Sequence, residues 1–88
     1  MVYEALMECV FRLGWRAVEV AAWRWAATEA AAGRTSTAFW VETELAACGV
    51  EGLELLWEVG AVSDAELAAI VALADRRSGV DLPCLMLG

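Results

Sequence analysis

From Val2 to about Ala32 the chain has no proline, one internal glycine (Gly14) and many alanines, the strongest helix formers. At about 100° per residue, Glu4, Glu8, Arg12, Arg16 and Glu19 fall on one narrow stripe. Leu6, Met7, Val10, Phe11, Leu13, Ala17, Val18, Val20 and Ala21 fill a broad arc opposite. Glu8 and Arg12 stand in the favourable i, i+4 order, acid before base. So broad an apolar arc predicts burial on most sides, as in a central helix or an oligomer seam. Three residues break this pattern. Trp15 and Trp23 project onto the charged stripe, and Arg24 falls within the apolar arc. Either the helix bends, near Gly14 or around Ala21–Ala22, or this surface meets a partner; the bend needs less explanation. Trp25 reads as core.

Gly33-Arg34-Thr35-Ser36 predicts a turn, with Thr35 or Ser36 available to cap the next element. Over Thr37 to Leu45, residues of alternating character suggest a strand. The continuation Leu45-Ala46-Ala47-Cys48-Gly49 suggests a helix closed by glycine instead. Helix is preferred, because the chain offers little for a strand to pair with beyond its own tail. A short helix is expected from Val50 or Glu51 to Val59, stopping at Gly60. Ser63-Asp64-Ala65-Glu66 has the form of a capping box, in which Ser63 and Glu66 each bond the other's backbone amide. The helix it opens carries Leu67, Ile70, Val71, Leu73 and Ala74 on one face, and Ala65, Ala68, Ala69 and Ala72 on a second. It is expected to run to Arg77 and stop at Gly79. Pro83 argues against regular helix in the apolar tail, Val80–Leu87, which then packs on its own domain, pairs as an edge strand or inserts into a neighbour.

The expected fold is therefore all-α: a single domain, residues 1–88, of three to four helices. A long N-terminal helix leads, and a tight helix–turn–helix pair, Leu53–Gly60 with Ser63–Arg77, closes it. The alternative is an α+β domain with a two-stranded sheet from residues 37–45 and 82–87.

Composition changes the picture from fold to surface. The 88 residues are 61% hydrophobic and include five tryptophans, against about 45–50% apolar content in an ordinary soluble domain. A chain this short buries only about 60% of its unfolded surface, so apolar surface is left over for another copy or a partner. A membrane span is not expected, since Glu19, Arg24, Glu29 and Arg34 interrupt the best stretch. Glu4 and Glu8 stand where a signal peptide carries positive charge. Cys9, Cys48 and Cys84 are too few, odd in number and too dispersed for a disulfide framework. These features point to a cytoplasmic setting.

The net charge of −7 is unevenly placed. Residues 1–34 balance four Glu with four Arg, whereas residues 35–75 carry eight acids and no base. Such a segment repels phosphate, so neither nucleic acid nor an anionic membrane is expected as a direct ligand. It suits a basic protein surface, although acids facing water to keep an apolar domain in solution account for it equally simply.

The chain has no histidine, lysine, asparagine or glutamine. That removes the commonest general base and metal ligand, the Schiff-base amine and the amides that complete oxyanion holes. The cysteines lack zinc-site spacing and read as small buried hydrophobes. Glu51, Glu54 and Glu58 share a helix face but lack the Glu-x-x-His partners of carboxylate metal sites. Gly49 and Gly52 read as helix punctuation, not a phosphate loop. No catalytic residue, cofactor or metal is expected, and the chain is expected not to be an enzyme.

The function expected is that of a small acidic interaction protein that blocks or adapts a larger, basic partner. Phage-encoded inhibitors such as anti-CRISPR proteins, and antitoxins, share this size and charge as a class. Its candidate partner-binding residues are Trp15, Trp23, Trp40 and Trp57, as aromatic anchors, with Glu51, Glu54 and Glu58. The alternative is a structural subunit that forms a homo-dimer or higher oligomer.

Overall fold

The computed structural model describes the backbone of residues 1–87 and the side chains of residues 1–76. Five helices follow one another: α1 (Val2–Leu13), α2 (Trp15–Ala31), α3 (Thr35–Cys48), α4 (Val50–Glu58) and α5 (Asp64–Leu87). There is no strand among the described residues, so the two-stranded alternative does not form. The all-α expectation holds, with five helices in place of three to four.

The expected long N-terminal helix is two helices, because Gly14 takes φ 93° and ψ 152°. That backbone conformation is open to glycine and strained for other residues. It resets the helical phase, so α2 need not continue the stripe of α1. This explains why Trp15 and Trp23 fall outside the apolar arc drawn through both.

α2 is the central element, in contact with all four other helices. Val18, Ala21, Ala22, Trp25 and Ala26 on it are buried. Alanines on this face let α3 and α5 approach closely, while Trp25 fills the space between. Leu6 and Cys9 from α1, Ala38, Val41 and Leu45 from α3, Leu53 and Leu56 from α4, and Val62 complete one continuous core with α5. The α5 contribution is Leu67, Ile70, Val71 and Ala74, the face expected from the sequence. Each large aliphatic side chain buried here contributes about 1.5–3 kcal/mol.

Two helix ends close by the same device. At the end of α2, the Gly33 amide donates to Ala30 and the Arg34 amide to Glu29. At the end of α4, the Gly60 amide donates to Trp57 and the Ala61 amide to Leu56. Both are Schellman closures with glycine in the left-handed position. After Gly33 the chain enters α3 directly. Thr35 and Ser36 lie inside that helix and do not cap it; Arg34 is the N-cap and makes no side-chain capping bond.

The capping box forms as expected. The Ser63 amide donates to Glu66 Oε1 at 2.8 Å, and the Glu66 amide donates to Ser63 Oγ at 3.2 Å. The helix it opens does not stop at Gly79; the backbone stays helical through Pro83 to Leu87. Proline removes one backbone donor and costs about 3 kcal/mol within a helix. That is a penalty, and it does not forbid the helix. How the tail's side chains pack lies outside the described residues.

The expected helix–turn–helix pair has its two helices and its turn, but the partners divide. α4 rests mainly on α3, and α5 lies on α2 and α1. The cause is Gly52: a side chain there would meet the Glu44 carbonyl oxygen at 2.5 Å. Only glycine lets the α4 backbone come this near to α3, so Gly52 is a contact residue and not punctuation. No helix among the described residues is long and apolar enough to cross a membrane.

Candidate partner-binding groove

The break at Gly14 and the corner at Gly49 face one another, and an open groove of about 740 Å³ lies between them. α1 lines it with Met7 and Val10, α2 with Trp15 and Glu19, α3 with Leu45, Ala46 and Cys48, and α4 with Val50, Glu51 and Glu54. Leu45 is buried and Val10 and Val50 are half-buried, which makes them the floor. Trp15, 57% exposed, and Glu51 stand at its edge. The charged residues of the lining are three glutamates, with no base among them.

Glu19 is held close to the α3–α4 corner. A β-carbon on Gly49 would sit 2.5 Å from Glu19 Oε1, so the carboxylate lies against the N-terminal end of α4, where the helix dipole is positive. Glu54 is also engaged. It accepts a hydrogen bond from the Tyr3 hydroxyl at 3.2 Å. That bond, with partial burial and the nearby charges of Glu54 and Glu58, raises the Tyr3 pKa above the ordinary phenol value. Tyr3 stacks on Trp57, ring centroids 5.5 Å apart and planes at 19°. The Trp57 indole N–H donates to Asp64 at the start of α5. One aromatic pair thus joins α1, α4 and the beginning of α5.

Of the seven residues singled out from the sequence, the groove gathers Trp15, Glu51 and Glu54. Trp57 is half-buried in the contact with Tyr3 and Asp64, a structural tie beside the groove. Trp23, Trp40 and Glu58 are exposed and do not line it. Sequence reasoning missed Met7, Val10, Glu19, Leu45, Cys48 and Val50 as groove residues. The only local signal was a mismatch: Met7 and Glu19 sit where stripe and arc disagree across Gly14.

The cysteines differ from one another. Cys9 is buried, and burial together with the charge of Asp75 raises its thiol pKa. Cys48 is exposed on the groove wall, contrary to the expectation of burial, because it ends α3 on the outward side of the corner. Cys84 lies outside the described side chains. Among the described residues no three carboxylates or thiols converge as a metal site would require. Chemically, this lining can receive an apolar group on Leu45, Val10 and Val50 and a cation beside Glu19 or Glu51.

No family model, curated protein or solved structure matches the chain.

Proposed function

We propose that this protein is a non-enzymatic binding module that captures a basic segment of a larger protein and blocks or adapts it. Support comes from one observation: a groove with an apolar floor whose charged lining is entirely acidic. An aliphatic or aromatic side chain of the partner seats against Leu45, Val10 and Val50, with Trp15 closing over it. An arginine or lysine next to that anchor meets Glu19 and Glu51. Charge steers the encounter, and burial of the anchor holds it. Occlusion of a basic surface in this way is the mode of action expected of a small acidic inhibitor, such as an anti-CRISPR protein or an antitoxin.

A fluorescently labelled peptide alternating leucine and arginine tests this directly, against a leucine–serine control. Tighter binding of the arginine peptide, weakening with salt, is expected. Trp15→Ala and Glu51→Arg each lower its affinity about tenfold, equivalent to about 1.4 kcal/mol, and Glu58→Arg leaves it nearly unchanged. Equal binding of the two peptides, or an unaffected Glu51→Arg variant, overturns the proposal.

A second reading, a self-associating subunit, is favoured by the apolar side chains left on the surface. Phe11 is 94% exposed, and Ala65, Ala68, Ala69 and Ala72 of α5 face outward. The two readings are compatible in a dimeric binder.

A further inference from the structure

The outward face of α3 differs from every other charged region of the chain. Phe39 is 61% and Trp40 51% exposed, and their rings meet edge to face, centroids 5.6 Å apart and planes at 72°. Thr43, Ala46 and Ala47 continue this face toward the C-terminal end, all exposed. The Thr43 hydroxyl donates to the Phe39 carbonyl at 2.8 Å, so its polar capacity is already used. No charged side chain lies on the face; Glu42 and Glu44 stand half-buried at its margins.

We propose that this face is a symmetric dimer contact, in which α3 of a second copy packs antiparallel across a two-fold axis at Thr43. Phe39 and Ala47 lie equally far from Thr43 on either side, as do Trp40 and Ala46. A two-fold axis there sets each aromatic ring of one copy against an alanine of the other. Large meets small at both ends, which is the self-complementarity an isologous contact requires. A parallel arrangement instead sets Trp40 against Trp40 and leaves the alanines facing each other across a gap. Charge selects the same occupant. A chain of net charge −7 repels its own copies, and an uncharged face is where two copies meet with least repulsion. A basic partner gains nothing there. The antiparallel alignment also opposes the two helix dipoles favourably.

The contact is small. Fourteen residues at about 1.5 Å each span about 21 Å, and one helix face offers less than the about 800 Å² per partner of a standard interface. The dimer is therefore concentration-dependent. It does not depend on the groove, because neither Thr43 nor Trp40 lines that site.

Thr43→Cys in a chain with Cys48 and Cys84 changed to serine tests the axis. Helix axes about 8–10 Å apart, with Cα atoms about 2.3 Å from each axis, leave facing Cα atoms about 4–5 Å apart, within disulfide reach. Mild oxidation is expected to give a covalent dimer much faster than for Ala68→Cys, an exposed control on α5. Light scattering of the unmodified protein in reducing buffer is expected to show a mass rising from 9.5 kDa toward twice that value with concentration. Trp40→Glu weakens this association at least tenfold, with an unchanged far-ultraviolet circular dichroism spectrum. A monomer at every concentration, cross-linking no faster at residue 43 than at residue 68, or a dimer indifferent to Trp40→Glu each overturns the proposal.

Discussion

Replacing Gly52 with alanine sets two backbone effects against each other. Alanine in a helix interior is normally favoured over glycine by about 1 kcal/mol, partly through the unfolded chain. Here the new β-carbon would lie 2.5 Å from the Glu44 carbonyl oxygen and 2.8 Å from that residue's carbonyl carbon and Cβ. Ordinary contact begins nearly an ångström further out. Two of the three atoms are main chain, so relief requires α4 to move off α3, and overpacking of this kind costs about 1–3 kcal/mol. Because Leu53 and Leu56 move with the helix, the upper part of that range applies, and the net effect is a loss of about 1–2 kcal/mol. For a domain of this size each kcal/mol lowers Tm by about 4–8 °C. Thermal unfolding tracked by circular dichroism measures it, with Ala68→Gly on the exposed face of α5 as an internal gauge of propensity. If Gly52→Ala melts at or above the wild-type temperature, α3 and α4 do not meet in so tight a corner.

Two further outcomes rest on local chemistry. Ser63→Ala removes the acceptor of the Glu66 amide and should lower stability by about 1 kcal/mol; a double-mutant cycle with Glu66→Ala should show coupling, and additive losses would refute a reciprocal capping box. Glu29 is almost buried and receives a bidentate bond from Arg34, Nε to Oε1 and Nη2 to Oε2, both at 2.8 Å. The Arg34 hydrogen bond, reinforced by its charge and opposed by partial burial, holds the Glu29 pKa below the usual carboxylate range. A folded-state pKa below the unfolded one stabilises the protein fully above the unfolded value, and that contribution fades as pH falls through it toward the folded value. Arg34→Ala should therefore lower Tm most at neutral pH and progressively less in acid, whereas a gap constant with pH would trace the loss to something other than this pair.

What was legible in the sequence was mostly what is local. The capping box is complete within four residues and forms as read. The α5 face from Leu67 to Ala74 needs only helical periodicity. Helix over residues 35–48 was recoverable because its end at Gly49 outweighed the alternation before it. The break at Gly14 was visible only as a conflict, since Trp15 belonged to neither face of one continuous helix. The tail misled because proline's local penalty says nothing of what the flanking turns return. The groove was least legible, as its walls come from residues 7 to 54 and exist only once Gly49 and Gly52 have closed the corner. Trp57 shows the same limit. Its sequence neighbours mark it as an exposed anchor among acids, and its stacking on Tyr3 depends on α1 arriving from the other end of the chain.

Gly14 has a mechanical consequence. A β-carbon there would meet nothing within 4 Å, so no neighbouring atom braces the joint, and one jaw of the groove is built in two pieces on either side of it. The pitch of α1 against α2 is then set by struts fixed at its two ends: Tyr3 on Glu54 and Trp57, and Arg12 on Asp75 at 2.7 Å. Shortening or slackening either strut alters the gape of the jaws without touching a residue that lines them. The width of the opening, and with it the size of side chain admitted, is thus tuned from remote positions.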